Sequence, residues 1–280
     1  MIETIPLDDP GDPRLAPYAA MRERDLVGRA GRFIVEGEVT LRLMLSGQAR
    51  FQAESILLAP ERLPGLAEAL AAHAARLPAP PPVYLAARPV MSAVTGFPIH
   101  RGVLAVGLRG AEPCAAGLVP PDPAPALVLG LCGLTNHDNV GGLFRNAAAF
   151  GADAVLLDAA TCDPLYRKAI RVSAGAALTV PFARLEPGEG WLALAARLGL
   201  TPLALSPGGA EALSDLPALP RALLLLGTEG PGLPAETIAR ARGVRIPMAL
   251  GFDSLNVATA GAIALHHLRA PSAQVARDKE

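Results

Sequence analysis

Short, uninterrupted apolar runs recur through the second half of the chain, and stretches with helical spacing separate them. A continuous apolar run is typical of a strand that is covered on both faces, as in a parallel sheet. Such runs lie at residues 127–132, 154–158, 178–185, 203–205, 223–227 and 244–248. The pattern predicts an α/β domain over residues 127–270, built on five or six parallel strands with crossovers. Residues 271–280 are expected to form a tail.

The first part of the chain repeats this alternation on a smaller scale. Apolar runs interpreted as strands lie at residues 33–37, 55–58, 83–86 and 102–107, and helical patterns at 38–46 and 63–77. Together they predict a small α/β sandwich domain over residues 1–108. Residues 1–17 are rich in proline and aspartate, and we expect them to lie loosely on its surface.

A segment without periodicity separates the two patterned regions, at residues 109–126. It contains five prolines, which favour extended, polyproline-like geometry. We interpret it as a linker between two domains. A chain of 280 residues with 51 % hydrophobic content is long enough for two such cores.

Polar side chains cluster in two loops of the last third of the chain. Glu229 lies in a glycine-rich loop directly after the apolar run at 223–227. Ser254 and Asn256 precede the last helical pattern, with Asp253 and Ser254 in the position of an N-cap. Because ligands of open α/β sheets bind outside the carboxyl ends of the strands, these two loops predict a binding site.

A helix is predicted over residues 139–151, with Asn139 as its N-cap and Gly151 just past its end. Gly141 and Gly142 in its first turn each cost roughly 1 kcal/mol of helix propensity. Bare backbone must therefore be needed there. Either the missing side chain clears space beside Arg145, four residues after Gly141, or the glycines admit a close-packed neighbouring strand.

Charge is balanced overall, with 25 basic and 26 acidic residues, but it is uneven along the chain. Residues 14–108 hold 11 arginines against 7 acidic residues, and 23 of the 25 basic residues are arginine. Arginine suits forked contacts to phosphates. A GC-rich coding sequence, or a protein face that is simply exposed to solvent, explains the same excess of arginine. Arg167, Lys168 and Arg171 form a further basic cluster, interpreted as a phosphate-contacting patch or as a charged helix exterior.

Several classes of function are disfavoured by missing signatures. The chain has no Gly-x-Gly-x-x-Gly after a strand, no P-loop, no serine nucleophile elbow and no histidine pair at metal spacing, so no metal is expected. Its three cysteines are widely spaced and odd in number, which fits a reducing cytoplasm. With no signal-peptide core and no apolar run near 18 residues, we expect a soluble, cytoplasmic protein.

Three blocks of the sequence together resemble motifs 1, 2 and 3 of the SpoU (TrmH) branch of the SPOUT RNA methyltransferases. They are Asn139-x-Gly-x-x-x-Arg145, Leu226-Gly-Thr-Glu229-Gly-x-Gly-Leu233 and Ile246-Pro-Met-x5-Ser254-Leu-Asn256-Val. The first domain is similar to the ribosomal-protein-like RNA-binding domain that many members carry. One departure is visible: many members have Asp-Pro shortly before motif 1, and this chain has Asn136-His137-Asp138.

The resemblance implies a parallel-sheet domain with a deep trefoil knot that binds S-adenosylmethionine, and a homodimer. For the dimer contact we expect the small-residue face of the last helix, formed by Ala258, Gly261, Ala262 and Leu265. The residues expected to bind the cofactor are Gly227, Thr228, Gly230, Ile246, Met248, Leu255 and Asn256.

The implied reaction is methyl transfer to a ribose 2′-hydroxyl of RNA, ribosomal RNA more than tRNA. Such a transfer needs positioning and removal of a proton. Residues of the three motifs that can supply both are Asn139, Arg145, Glu229, Ser254 and Asn256. The alternative from another class is a non-catalytic RNA-binding or ribosome-assembly protein that keeps the fold. A dinucleotide-dependent oxidoreductase is disfavoured by the order of glycines 227, 230 and 232.

Overall fold

The computed structural model describes residues 3–19, 27, 31–228, 230–251 and 254–269. Its strands are β1 (Thr4–Pro6), β2 (Arg32–Glu36), β3 (Gln52–Leu58), β4 (Val83–Leu85), β5 (Val103–Leu108), β6 (Ala126–Leu131), β7 (Ala154–Leu157), β8 (Phe182–Arg184), β9 (Thr201–Leu205), β10 (Glu211–Ala212), β11 (Arg221–Leu226) and β12 (Arg242–Arg245). Its helices are α1 (Glu38–Leu45), α2 (Leu63–Ala74), α3 (Arg88–Thr95), α4 (Ala115–Leu118), α5 (His137–Phe150), α6 (Arg167–Val172), α7 (Trp191–Arg197), α8 (Ala235–Arg240) and α9 (Val257–Leu268).

The chain divides into two compact units, and the division is not a single cut along the sequence. The first unit contains Met1–Ala111 together with Pro164–Thr179. The second contains Glu112–Asp163 and Val180–Glu280. A segment of 16 residues from the middle of the chain therefore packs with the N-terminal unit.

The first unit is built on a five-stranded mixed sheet in the order β1-β4-β3-β5-β2. Strand β5 runs antiparallel to both of its neighbours, β2 and β3. Strands β1, β3 and β4 run parallel to one another. The predicted α/β organisation of this region agrees with these pairings, and α3 adds a helix that the sequence pattern did not indicate.

The N-terminal residues differ from the loose surface segment expected from their composition. β1 pairs in parallel with β4 and closes one edge of the sheet. Leu15 and Tyr18 follow it in a 3-10 turn and are 1 % and 3 % exposed, and the Tyr18 hydroxyl lies 2.8 Å from Ser55 Oγ. The expectation was wrong because three apolar side chains, including Leu7, anchor a stretch that is otherwise proline and aspartate.

The segment 164–179 holds α6 and a tight turn that fit against α1. Gly175 has a φ of +87°, and a Cβ built on it would lie 2.8 Å from Leu43 Cδ2 and 3.6 Å from Thr40 Cα. The carbonyl of Leu178 accepts a hydrogen bond from the backbone N–H of Arg50 (2.9 Å). These contacts attach the segment to the first unit, although the sequence pattern placed it in the second domain.

The second unit is a seven-stranded sheet in the order β10-β12-β9-β11-β6-β7-β8, and every pair in it is parallel. Its central strands β6, β7 and β11 are buried along their whole length, as their continuous apolar runs predict. The predicted α/β fold with a parallel sheet is confirmed, with one short strand more than expected. The trefoil knot stays a prediction, with which this strand order is consistent.

The proline-rich stretch is not extended throughout. It contains the helical turn α4, and Ala115 and Val119 are buried in the core of the second unit. Further along, the buried guanidinium of Arg221 donates hydrogen bonds to the carbonyls of Pro120 and Ala124. Because these anchors are single residues among prolines, the sequence pattern does not reveal them.

Helix α9 packs against α5 within the second unit, and this changes the expectation for its small residues. A Cβ on Gly261 would lie 2.5 Å from Leu143 Cδ2, and Leu265 is fully buried. Gly261 and Leu265 fill the interior of the unit and are not available for a dimer contact, whereas Ala258 and Ala262 of the expected face are half-buried. Among the described residues, no helix is long and apolar enough to cross a membrane.

Candidate functional site

The second unit contains a cavity of about 570 Å³ where several of its parallel strands end. A volume of this size is typical of a small-molecule site. The cavity is lined by Leu205, Ser206, Pro207, Leu226, Gly227, Thr228, Gly230, Pro231, Gly232, Leu233, Ile238, Ile246, Met248, Ser254, Leu255, Asn256, Val257 and Ala260. These residues follow β9, β11 and β12 or begin α9. The two polar loops of the sequence therefore meet, as the carboxyl-end rule predicts.

The loop after β11 is a tight turn that only bare backbone permits. A Cβ on Gly227 would lie 2.3 Å from the carbonyl carbon of Gly232 and 2.4 Å from the nitrogen of Leu233. Within the turn, the N–H of Gly232 donates to the Thr228 carbonyl (3.1 Å). Gly230 and Gly232 have φ values of +94° and +72°, which side chains rarely adopt. The loop thus presents backbone groups to the cavity.

Asn256 holds the beginning of α9 and also reaches across to α5. Its Oδ1 accepts hydrogen bonds from the N–H groups of Ala258 (2.9 Å) and Thr259 (3.3 Å), so Asn256 is the N-cap. Its Nδ2 donates to Asn139 Oδ1 at 2.8 Å. Ser254 is therefore not the cap that the sequence pattern predicted. Its partner in that prediction, Asp253, lies outside the described residues.

Asn139 lies inside the first turn of α5, not at the N-cap. The helix begins at His137, and Asn136 caps it by accepting a hydrogen bond from the N–H of Asp138 (2.8 Å). Asn139 is 6 % exposed. Two asparagines three residues apart satisfy the same capping rule, and only the fold distinguishes them. Gly151 ends the helix in the left-handed conformation (φ 71°), as predicted.

Gly142 at the start of α5 admits a neighbouring helix. A Cβ on Gly142 would lie 2.9 Å from Ala258 Cβ, so the two helix backbones approach closely here. Asn146 Nδ2 adds a hydrogen bond to the Ala258 carbonyl (2.8 Å). The neighbour is α9 and not a strand. Arg145 is exposed on α5, and it lies about 9 Å along the helix axis from Asn139 at the usual rise per residue.

The predicted site residues are distributed unequally around the cavity. Among the catalytic candidates, Ser254 and Asn256 line it, and Asn139 joins it through its bond to Asn256. Arg145 stands apart from the lining, and Glu229 lies outside the described residues. All seven residues expected to bind a cofactor line the cavity: Gly227, Thr228, Gly230, Ile246, Met248, Leu255 and Asn256.

One wall of the cavity was missed at the level of sequence. Leu205, Ser206 and Pro207 follow β9, which lies beside β11 in the sheet. The sequence does place these residues in a loop at the end of a strand, since they come directly after an apolar run. Sequence does not say which strand is the neighbour of β11, however, and only the sheet order brings this loop to the cavity.

The described part of the lining carries no charged side chain, and neither of the two more buried cysteines belongs to it. Burial raises the pKa of the Cys132 thiol above its ordinary value and raises that of Cys162 to about 11. Both thiols are therefore protonated near neutral pH and poor nucleophiles. The described lining can hold a small molecule through backbone groups and apolar contacts.

The sequence of this chain is similar to those of known proteins. A family model described as the SpoU rRNA Methylase family matches residues 126–266. The chain belongs to the SpoU methylase family. Uncharacterized tRNA/rRNA methyltransferases of Mycobacterium bovis and Mycobacterium tuberculosis are 39 % identical to it over 269 residues, which cover 92 % of this chain and 89 % of theirs.

Solved structures have the same fold over nearly the whole chain. An AdoMet-bound rRNA methyltransferase from Sinorhizobium meliloti superposes with a TM-score of 0.76 at 21 % identity, covering 95 % of this chain and 97 % of that one. An RNA 2′-O ribose methyltransferase superposes with a TM-score of 0.74 at 24 % identity, covering 94 % and 98 %. Because both structures are less than 25 % identical to this SpoU methylase family member, the two superpositions establish its fold alone.

Proposed function

We propose that this SpoU methylase family member transfers a methyl group from S-adenosylmethionine to a ribose 2′-hydroxyl of RNA. The observation that carries the proposal is the cavity itself. Two of the three family motifs converge on its lining, and the third is hydrogen-bonded to it through Asn139 and Asn256. The residues of the three motifs, as the structure places them, therefore already form one site.

The cavity fits S-adenosylmethionine in size and chemistry. The turn at Gly227 to Gly232 exposes backbone groups of the kind that hydrogen-bond an adenine edge or ribose hydroxyls. Ile246, Met248 and Leu255 provide apolar walls for a purine ring. When bound, the cofactor supplies a methyl group already activated on a sulfonium. The described lining, which carries no charged side chain, suits this partly apolar molecule.

The residues of the chain then have to place the hydroxyl in line with that methyl group. We assign Arg145 to binding an RNA phosphate and ribose, because arginine stays protonated in proteins and is a poor proton acceptor. Ser254, with an exposed hydroxyl at the cavity, and Glu229 contact the ribose in this proposal. Asn139 and Asn256 fix the position of α9 beside the reacting atoms. The proton leaves to the RNA phosphate or to a group beside it.

For the target, the proposal favours ribosomal RNA over tRNA, with residues 1–108 as the RNA-binding part. We further propose that the protein works as a homodimer in the cytoplasm, as the family resemblance implies. The dimer contact has to use surfaces other than the inward-facing residues Gly261 and Leu265.

Two measurements test the proposal. Isothermal titration should detect binding of S-adenosylmethionine to the purified chain, and an absence of binding at millimolar cofactor would favour the non-catalytic alternative. A ribose-methylation map of total RNA from a deletion strain should lack one signal that returns on complementation. If the missing methylation lies in tRNA alone, the target is tRNA and not ribosomal RNA. Loss of a base methylation would contradict transfer to ribose.

A further inference from the structure

A cluster of arginines, separate from the cavity, lies on the first unit. Elsewhere on this unit, three arginines are each matched by a carboxylate of their own. The matched pairs are Arg14 with Asp12 (2.6 Å), Arg32 with Glu54 (2.6 Å) and Arg42 with Glu38 (2.8 Å). Pairs of this kind neutralise the surface locally and leave little field for a distant partner.

At one end of the sheet this matching fails. Strands β2, β3 and β4 end there and β5 begins, since Glu36 is in register with Leu104 and Leu58 is in register with Val103 and Leu85. Five arginines surround this end, and we call them the arginine arc. They are Arg62, Arg88, Arg101, Arg167 and Arg171.

Two members of the arc come from the segment 164–179. The Glu36 carboxylate lies 3.5 Å from Arg167 Nη1 and 3.7 Å from Arg171 Nη1, so one acid serves two guanidinium groups. The Arg167 guanidinium also lies over the Phe97 ring, 4.3 Å from its centroid. These contacts hold both arginines at the end of β2.

The other three members continue from there across two glycines. A Cβ on Gly37 would lie 3.0 Å from Arg101 Nη1. A Cβ on Gly102 would lie 3.4 Å from Arg88 Nε, and that glycine is also beside Arg62. Both glycines have positive φ values, +100° and +63°. The bare backbone therefore lets the arginine side chains lie against the sheet end as one continuous surface.

The arc gathers five guanidinium groups at one end of the sheet. Besides Glu36, Glu61 contributes a carboxylate, 2.8 Å from Arg88 Nε. Two arginines thus share the acid Glu36, while each of the three matched pairs has an acid of its own. Arg101 and Arg171 are exposed, so their charge faces solvent. Like charges gathered in this way repel one another, and binding of a polyanion relieves that repulsion.

We propose that the arginine arc binds the phosphate backbone of the RNA substrate. This inference rests on the proposed function, and it adds where the RNA is held. It also changes the assignment of the RNA-binding part. Residues 1–108 cannot form the surface alone, because Arg167 and Arg171 come from a segment that lies beyond the linker in sequence. Forked guanidinium groups and few aromatic side chains favour contacts with phosphates over stacking on bases.

The test compares two full-length variants with the same change in charge. R101Q/R167Q/R171Q removes three arginines of the arc, and R14Q/R42Q/R76Q removes three exposed arginines elsewhere on the same unit. The probe is 16S and 23S ribosomal RNA from a strain that lacks the gene, bound on filters across a potassium chloride series. Cofactor affinity, measured by isothermal titration, reports whether each variant is folded.

We expect the arc variant to bind this RNA at least tenfold more weakly at low salt. Its slope of log affinity against log salt should fall by about two to three, since each lost phosphate contact releases fewer counterions. The control variant should stay within about threefold of the wild type, and both should bind the cofactor normally. Equal losses in the two variants would overturn the proposal, as would an unchanged salt slope in the arc variant.

A third variant separates charge from damage to the fold. E36Q removes the acid that Arg167 and Arg171 share, so it should bind RNA as tightly as the wild type or more tightly. A loss as large as that of the arc variant would show that the cluster is structural. Failure of the proposed function looks different: a wild-type chain that methylates no RNA contradicts it, whereas normal methylation and RNA binding by the arc variant contradicts the arc alone.

Discussion

The cavity of the second unit and the arginine arc of the first unit bind by opposite means. The described lining of the cavity has no charged side chain and is shaped by glycines whose backbone forms the wall. The arc consists of charged side chains, and two of them share one carboxylate. In both places a glycine permits a close approach, of backbone to backbone at Gly227 and of an arginine to backbone at Gly37.

This contrast teaches which part of recognition each site can perform. A backbone-lined cavity selects a small molecule by shape, and a salt series should hardly affect it. An exposed arginine surface selects for phosphate and acts over a longer range, with strong dependence on salt. Variants should therefore separate the two functions if the comparison is correct.

The largest effect is expected at Arg145, the exposed cation that we assign to the reaction. R145A should slow methyl transfer at least about 100-fold, because a poorly placed ribose cannot align with the methyl group. Cofactor affinity should hardly change, since Arg145 is not part of the cavity lining. A single-turnover assay with radiolabelled cofactor measures the rate.

The matched control for this prediction is R240A, an exposed arginine of α8 that pairs with Glu236. It should transfer methyl groups at close to the wild-type rate. If R145A instead loses cofactor binding as strongly as transfer, Arg145 has a structural role and the separation of the two sites fails.

A change in the glycine turn should affect the cavity alone. G227A places a Cβ 2.3 Å from the backbone of Gly232, so the turn must move. We expect cofactor affinity to fall about 10- to 100-fold. Ribosomal RNA binding should remain within a few fold of the wild type. Titration calorimetry and filter binding measure the two affinities on the same preparation.

Gly208 offers a control for this substitution in the loop that follows β9. Nothing lies within 4 Å of a Cβ built there, so G208A should bind the cofactor like the wild type. A strong loss of RNA binding in G227A would mean that the two sites are coupled, against the comparison.

Asn256 tests how the cavity wall is held. N256A removes the cap of α9 and leaves Asn139 Oδ1 without this donor, which should lower the free energy of unfolding by about 2 kcal/mol. N256S should lose about half as much, because a serine caps the helix but is too short to reach Asn139. Urea denaturation measures both. Equal losses would indicate that the bond to Asn139 adds nothing.

The smallest effect is expected for the cofactor in a salt series. Its dissociation constant should change less than about twofold over a range in which RNA affinity falls tenfold or more. Parallel titrations of the wild-type chain measure this. A steep dependence for the cofactor would indicate a charged contact in the cavity and would remove the main difference between the two sites.

The amino-acid sequence by itself determined most of the elements of the cavity. Buried strands are continuous apolar runs, so β6, β7 and β11 could be located without a structure. The glycine turn and the residues before α9 could also be assigned, because loops at the ends of parallel strands meet at one edge. All seven cofactor candidates line the cavity for this reason.

Only the tertiary structure decided which of several equivalent residues takes each role. Asn136 and not Asn139 caps α5, and Asn256 and not Ser254 caps α9, since capping rules are local while the Asn139–Asn256 bond joins residues far apart in sequence. The arginine arc depends on the tertiary structure even more strongly. Arg101 and Arg171 are separated by the whole linker and β6, and no periodicity relates them. Their neighbourhood depends on how the chain packs, because the segment 164–179 returns to the first unit.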